Sequence, residues 1–183
     1  MGAPTHLAAA SGSAVGPEAR FERILREHGA ALRRAVAGYE QDPARREDLF
    51  QDVCLAIWQA LPRFRGESSE RTFLFRIAHN RGLTHRVRRP PSPTADFAET
   101  DDVEDPAATP EAAAHHGQRR ARLRAAVRRL ALEPQQVLTM TLEGLTPREI
   151  ADVLGITENN VGVRLSRARR LLREALGAAG ETR

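Results

Sequence analysis

The chain has 183 residues, enough for one domain of ordinary size or two small ones. All 28 of its basic side chains are arginines, and its net charge of +4 and pI of about 10.7 suit a polyanionic partner. A single cysteine, Cys54, excludes an internal disulfide and a multi-cysteine zinc site. Because no transmembrane span or signal-peptide pattern is present, we expect a cytoplasmic protein with a flexible tail at residues 1–17 and no membrane partner.

Helical spacing of apolar residues predicts three helices in the first half of the chain, at residues 18–39, 44–61 and 70–89. Asp42-Pro43 opens the second helix, and Ser68 or Ser69 caps the third. The polar side of the third helix is strongly basic, with the aromatic residues Phe73 and Phe75 interleaved. Such a helix suits phosphate contacts and stacking on unpaired bases, and a solvated basic face is an equal alternative.

Residues 90–110 mark a domain boundary. Prolines interrupt this segment and all its charged side chains are acidic, which predicts an extended, mobile linker. We therefore expect an all-α protein with two small helical domains, at residues 18–89 and 111–176, and a short C-terminal tail at 177–183. In the second domain, apolar spacing predicts helices at residues 115–132 and 135–142.

The end of the second domain predicts a pair of helices with well-defined caps. Thr146-Pro147-Arg148-Glu149 is a capping box with proline at the first helical position, and Gly155 ends that helix. Thr157 can cap the next helix, whose apolar stripe consists of Val161, Leu165, Ala168 and Leu172. This layout is typical of a helix-turn-helix whose second helix enters the major groove of DNA. An ordinary helical hairpin with a solvated arginine face is the alternative.

Motifs for catalysis are absent from the sequence. We find no Gly-rich phosphate loop, nucleophile elbow or catalytic triad, and no third ligand is spaced to join His115 and His116 in a metal site. His28 lies on an apolar helix face and is interpreted as a packed core residue. An RNA-binding or nuclease-type enzyme would need clustered carboxylates or histidines to hold metal. We therefore expect no enzyme activity, catalytic residue, metal or cofactor.

Two segments resemble conserved regions of one family. Residues 47–53, 57–61, 63–69 and 71–80 resemble region 2 of the extracytoplasmic-function (ECF) group of bacterial sigma factors, in the sigma-70 family. The helix-turn-helix resembles region 4 of the same family, and the resemblance covers nearly all of residues 21–176. It implies a region 2 helical bundle and a region 4 helix-turn-helix joined by the acidic linker.

The resemblance implies an RNA polymerase sigma subunit that binds core polymerase, recognises minus-ten and minus-thirty-five promoter elements and promotes melting. Docking on the coiled coil of the polymerase β′ subunit would use Asp48, Gln51, Asp52, Ile57 and Trp58. The minus-ten duplex and the melted non-template strand would be held by Arg63, Phe64, Arg65, Ser68, Arg76, Asn80, Arg81 and Arg88. Contacts to the minus-thirty-five duplex would come from Thr157, Asn160, Gly162, Val163, Arg164, Ser166, Arg167 and Arg169. The β flap and an anti-sigma factor are further implied partners.

The sequence departs from the family pattern at Gly162-Val163, where many members carry Lys or Arg followed by Ser. Arg167 is therefore the better candidate for reading sequence. A competing hypothesis is a stand-alone transcriptional regulator whose N-terminal helices sense a ligand or form a dimer. Such a sensor should show an apolar pocket or a dimer seam, whereas the third predicted helix is basic.

Overall fold

The computed structural model describes residues 16–89, 123, 125–127 and 129–178. Its longer helices are α1 (Pro17–Val36), α2 (Pro43–Ala60), α3 (Glu70–Arg88), α4 (Leu132–Leu142), α5 (Pro147–Leu154) and α6 (Glu158–Ala178), with a 3-10 turn at Leu61–Arg63. No strand occurs within the described ranges, so the all-α prediction is confirmed. The predicted linker at 90–110 and most of the predicted helix at 115–132 lie outside the described residues. No described helix has the length and apolarity needed to cross a membrane.

Side-chain caps fix where most of these helices begin. Asp42 accepts a hydrogen bond from the Arg45 amide, and Ser69 rather than Ser68 accepts one from the Thr72 amide. The predicted capping box at Thr146 and Glu149 is formed, and the Thr157 hydroxyl accepts from the Asn160 amide at 3.2 Å. These caps occupy amides that lack a partner in the first helical turn.

Three boundaries of these helices differ from the prediction by more than one residue. Helix α1 ends at Val36 instead of residue 39, and α6 continues to Ala178 instead of residue 176. Helix α4 begins at Leu132 rather than residue 135, and Pro134 lies in its first turn. Proline is tolerated there because the first amides of a helix have no intrahelical acceptor. Proline therefore marked the first turn of α4 but not its first residue.

Helices α1, α2 and α3, which we call the first unit, enclose one apolar cluster. We call this cluster the first core, and its buried residues are Ile24, Leu32, Val36, Tyr39, Leu49, Phe50, Val53, Ile57, Leu61, Leu74 and Ala78. Gly82 lets α3 approach the end of α1, because a Cβ there would lie 2.4 Å from the Tyr39 ring. The Tyr39 hydroxyl is 2.7 Å from Nδ1 of His79, so this buried contact also satisfies its polar groups.

Helices α4, α5 and α6, which we call the second unit, form the predicted helix-turn-helix. Gly155 ends α5 in the left-handed conformation, with φ of 65°, which glycine adopts without steric cost. Val161 and Ala168 of α6 are buried, and Leu165 and Leu172 pack partly buried beside them. The predicted apolar stripe of α6 is therefore confirmed, and it turns the opposite face of the helix to solvent.

The second unit packs directly against the first. The contact of α3 with α5 is as extensive as any between described elements, and α1 also touches α4. We call this contact between the two units the closed interface. The apolar cluster that crosses it contains Ala35, Phe75, Val137, Met140, Leu145, Ile150, Ala151, Val153 and Val161. The two predicted helical units are thus packed together in this conformation.

Candidate nucleic-acid interface

The outward face of α6 is the first part of the candidate interface. Val163, Ser166 and Arg167 lie opposite the buried stripe and are exposed, with Gly162 and Arg169 exposed beside them. No described residue pairs with the Arg167 guanidinium. A helix that follows a tight turn and presents exposed polar groups in its first three turns has the geometry of a major-groove reading helix.

Three of the predicted α6 contacts already have partners within the chain. The Arg164 side chain, which is 21% exposed, donates from Nε to Oδ1 of Asn160 at 3.0 Å. Its Nη2 lies 3.6 Å from a carboxylate oxygen of Glu133 on α4. Thr157 uses its hydroxyl to cap the helix. These three residues therefore orient α6, whereas Val163, Ser166 and Arg167 point away from the protein.

The loop between α2 and α3 carries four of the predicted minus-ten residues. Phe64 stacks on Phe73 with ring centroids 4.4 Å apart, and the Arg20 guanidinium lies 5.4 Å from the Phe64 centroid. The Ser68 hydroxyl donates to the backbone carbonyl of Ser69, while Arg63 and Arg65 are exposed. Since both Phe73 and Arg20 contact the Phe64 ring, Phe64 helps to shape the loop and has limited surface left for a base.

Helix α3 distributes the other four predicted residues over two faces. Arg76 and Asn80 are exposed on one face, together with Leu83 and Val87, which is 83% exposed. The pattern of apolar residues four positions apart on a basic face was the signal for Leu83 and Val87, and sequence reasoning missed it. Their exposure adds an apolar surface beside the two predicted polar contacts.

Arg81 and Arg88 lie about 100° further around α3 and face α2. They line a groove of about 240 Å³ together with Asp48 and Asp52. The eight predicted minus-ten residues therefore fall into three groups: the loop, the outer face of α3, and this groove. The groove also places two predicted DNA contacts next to two predicted polymerase contacts.

Helix α2 presents the predicted polymerase-binding residues on one face, with one exception. Asp48, Gln51, Asp52 and Trp58 are exposed on the same side of the helix. Ile57 lies on the opposite side, is fully buried in the first core, and has no surface to offer a partner in this conformation.

Leu55 completes this surface and was missed from the sequence. It is 54% exposed between Asp52 and Trp58, so it adds apolar area to this polar helix face. Trp58 is held edge-to-face against Phe21, with centroids 5.4 Å apart. We call Asp48, Gln51, Asp52, Leu55 and Trp58 the α2 outer face.

Glu149 links the two units electrostatically. Its Oε2 accepts from the Thr146 amide and hydroxyl of its own capping box, both at 2.9 Å. Its Oε1 accepts from the Ser69 hydroxyl at 2.7 Å and the Thr72 hydroxyl at 2.9 Å, across the closed interface. The Thr146 amide, followed by the Ser69 hydroxyl, lowers the pKa of Glu149 to about 2. The first turn of α5 is therefore bonded to the first turn of α3.

Glu143 forms the second polar link. Arg34 donates from Nε and Nη2 to its carboxylate at 2.5 and 2.9 Å, and Arg71 donates to its backbone carbonyl at 2.6 Å. Gly144 is required beside it, because its φ is 82° and a Cβ would lie 2.8 Å from the Arg71 guanidinium. The closed interface thus has an apolar centre and charged hydrogen bonds at its edge.

One group of described residues has metal-ligand spacing. The ligand atoms of Glu27, His28 and Glu70 lie within 4.8 Å of one another. Arg23 donates to both carboxylates at 2.7 Å, so a fixed cation already pairs with them. His28 is partly buried, with its Nε2 3.5 Å from Glu70. We interpret the group as an ion-pair network between α1 and α3.

Comparison with known proteins gives concordant matches for both units. The family model for Sigma-70 region 2 matches residues 24–89, and that for Sigma-70, region 4 matches residues 120–172. The ECF RNA polymerase sigma factor SigL of Mycobacterium tuberculosis is 30% identical over 184 residues, which cover 97% of this chain and 100% of SigL.

Two solved structures are similar to the described fold. The structure of CnrH in complex with the cytosolic domain of CnrY has a TM-score of 0.62 at 26% identity, covering 88% of this chain and 90% of CnrH. The sigma factor RpoE from Bartonella quintana, in complex with the anti-sigma factor NepR, has a TM-score of 0.65 at 20% identity. The match covers 86% of this chain and 97% of RpoE. At that identity, the second likeness bears on the fold alone.

Proposed function

Because the chain belongs to the ECF group of the sigma-70 family of RNA polymerase sigma factors, we propose that it binds core RNA polymerase, recognises minus-ten and minus-thirty-five promoter elements and promotes melting. The observation that carries this proposal is the match of both regions, in order, to units that each present an exposed basic helix face. A sigma subunit directs the polymerase and is itself no enzyme. Family membership supports this reading.

In this function α6 holds the minus-thirty-five duplex. Ser166 and Arg167 point outward from the first three turns of α6, where a helix in the major groove meets base edges. Arginine suits this position because its guanidinium pairs in bidentate fashion with guanine O6 and N7. Arg169 is exposed at the side of the helix, where an arginine side chain can reach the phosphate backbone.

The minus-ten element is bound by the loop after α2 and by the outer face of α3. Arg63 and Arg65 supply positive charge at the loop, while Arg76 and Asn80 lie on the exposed face of α3. Melting is sustained by holding unpaired bases, whose backbone requires a basic groove and whose flat faces require an apolar or aromatic surface. Leu83 and Val87 provide such an apolar surface next to Arg76 and Asn80.

The α2 outer face docks on core polymerase. Trp58 and Leu55 supply exposed apolar area, and the flanking acidic residues supply the charge complementary to a basic partner. Interfaces of this kind concentrate binding energy in a few aromatic anchors surrounded by polar residues. The solved complex of CnrH with the cytosolic domain of CnrY supports a further protein partner, and the family resemblance implies that this partner is an anti-sigma factor.

We also propose that the closed conformation is a resting state that must open before initiation. The numbers in the names of the two promoter elements place them about 25 base pairs apart. At about 3.4 Å per base pair, this is roughly 85 Å of duplex. A compact unit of about 130 residues, the size of the described part of the chain, has a radius of gyration of about 14 Å and is therefore about 35 Å across. The closed protein cannot reach both elements. The predicted linker at residues 90–110 can span up to about 70 Å when extended, which allows the units to separate.

Transcription with reconstituted polymerase tests the proposed function. Core enzyme plus this protein should start at defined sites on genomic DNA, and mapping those sites should reveal a shared two-part promoter. Core enzyme alone is the control and should give no such starts. The protein alone should bind the promoter weakly, because the closed form reaches one element at most. Tight specific binding without polymerase would instead favour a stand-alone regulator.

A further inference from the structure

The centre of the outward face of α6 is apolar. Val163 is 60% exposed and lies directly opposite the buried stripe of the helix. Its neighbours one turn away on this face are Asn159, Asn160, Ser166 and Arg167, all polar. Single exposed apolar residues are common on protein surfaces. This valine, however, is in the second turn of the helix, where a helix in the major groove meets base edges.

Gly162, next to Val163, has no role in the fold that requires glycine. Its φ is not among the positive values, and a Cβ added there would meet no atom within 4 Å. Glycine is one of the poorest helix formers, so alanine would suit the protein alone better. A missing side chain on an exposed helix does allow a close approach by another molecule. Gly162 therefore points to a surface that touches α6 from outside.

The two residues together suit one feature of the major groove. Valine has no hydrogen-bonding group, so it cannot read the donors and acceptors of base edges. The C5-methyl group of thymine is the apolar feature of the groove, and it is read by apolar side-chain contact. Valine is also stiff about χ1, which fixes its methyl groups relative to the helix. Arg167, one turn further on, is free to read an adjacent base pair by hydrogen bonding.

We propose that Val163 contacts a thymine C5-methyl group of the minus-thirty-five element, at an approach that Gly162 permits. This inference rests on the proposed function, in which α6 enters the major groove. It assigns the Gly162-Val163 step to sequence reading by apolar contact. It also requires at least one A·T pair in the element, opposite the second turn of α6.

Deoxyuridine substitution tests the contact directly, because uracil keeps the base-pairing groups of thymine and lacks only the methyl group. Each thymine of either strand in the minus-thirty-five element is replaced singly, and binding of the polymerase holoenzyme is measured by competition. At one thymine, the wild-type protein should lose about 3- to 10-fold in affinity. With V163A, the unmodified promoter should bind more weakly, and the same deoxyuridine should cause no further loss.

Two matched variants separate this contact from general effects. S166A lies on the same exposed face and should keep the full deoxyuridine penalty. G162A should fold at least as stably as the wild type, measured by thermal unfolding, yet hold the promoter more weakly. If G162A lowered both the thermal stability and the promoter affinity, Gly162 would be required for folding rather than for DNA contact.

The possible failures are distinguishable. If scrambling the minus-thirty-five element leaves wild-type holoenzyme binding unchanged, the proposed function of α6 is wrong. If scrambling weakens binding but no deoxyuridine does, or if V163A keeps the wild-type penalty, only the thymine contact is wrong. A minus-thirty-five element without any A·T pair would also show that the proposed thymine contact is wrong.

Discussion

The first core and the closed interface bury apolar residues to the same extent but are built differently. Leu74 and Phe75 are neighbours on α3, and each is at most 1% exposed, yet Leu74 packs in the first core and Phe75 in the closed interface. The first core is enclosed by helices close in sequence. The closed interface joins distant segments and has a charged edge at Glu143 and Glu149. An apolar centre with a polar rim is typical of interfaces between domains that move relative to each other.

The largest expected effect comes from emptying the centre of the closed interface. Phe75→Ala should weaken closure by up to about 3–5 kcal/mol, since a large buried side chain is lost. Small-angle scattering of the free protein should show an increased radius of gyration, while circular dichroism should retain the helical signal. An unchanged radius with a loss of helix would mean that Phe75 supports folding rather than closure.

Leu74→Ala is the matched variant on the other side of α3. It should destabilise the first unit by about 2–5 kcal/mol, because it leaves a cavity in the first core. Urea unfolding should show a lower midpoint, with no expansion of the protein before the transition. If Leu74→Ala and Phe75→Ala behaved alike, the distinction between the two apolar clusters would not hold.

Trp58→Ala tests a surface that lies outside both clusters. Exposed tryptophans are frequent anchors of interfaces, so we expect a loss of about 2 kcal/mol in binding to core polymerase. Fluorescence anisotropy with labelled core enzyme measures this loss, and thermal unfolding checks that losing the Phe21 contact leaves the fold intact. Gln59→Ala, at the adjacent exposed position, serves as the control. Unchanged polymerase affinity would remove Trp58 from the interface.

Arg167→Ala should weaken minus-thirty-five recognition by about 1–3 kcal/mol. Its effect on holoenzyme binding should be the same in the Phe75→Ala background, because α6 presents this residue outside the closed interface and distant sites add. Arg170→Ala is a suitable control, since Arg170 pairs with Glu174. An equal loss on a scrambled upstream sequence would show that Arg167 touches only phosphate.

The helix-turn-helix could be predicted residue by residue because its signals are local. The Thr146 capping box, the Gly155 turn and the apolar stripe of α6 each depend on residues within a few positions. The faces of α2 could be predicted in part: Ile57 is buried because the inward stripe of α2 passes through it, although the family resemblance had suggested a surface role.

The closed interface could not be predicted, because it depends on contacts between residues about 70 to 110 positions apart. Phe75 was interpreted as an aromatic residue of the basic face of α3, and it is instead covered by the second unit. Glu149 was identified only as a capping residue, and the sequence contains no sign that its second oxygen meets Ser69 and Thr72. Such tertiary contacts leave no periodic pattern in the chain.

The smallest expected effect distinguishes the polar edge of the closed interface from its apolar centre. Glu149→Gln should weaken closure by about 1 kcal/mol at neutral pH, because it replaces charged hydrogen bonds with neutral ones. The Thr146 amide, which lowers the pKa of Glu149 most, stays in place when the units separate, whereas the Ser69 and Thr72 hydroxyls lower this pKa further only in the closed form, to about 2. The carboxylate therefore stabilises closure fully above about pH 4.5, where it is ionised in both forms. That stabilisation is lost as the pH falls through the lowered pKa.

Scattering at pH 7 and at stepwise lower pH should therefore show wild type and Glu149→Gln converging. Thr146→Ala is the control, because it removes the hydroxyl contact to Oε2 and leaves the Ser69 and Thr72 contacts to Oε1 in place. If Thr146→Ala opened the protein as much as Glu149→Gln, the effect would come from the helix cap. A difference between wild type and Glu149→Gln that persisted in acid would show that the substitution acts through the shape of the side chain rather than through its charge.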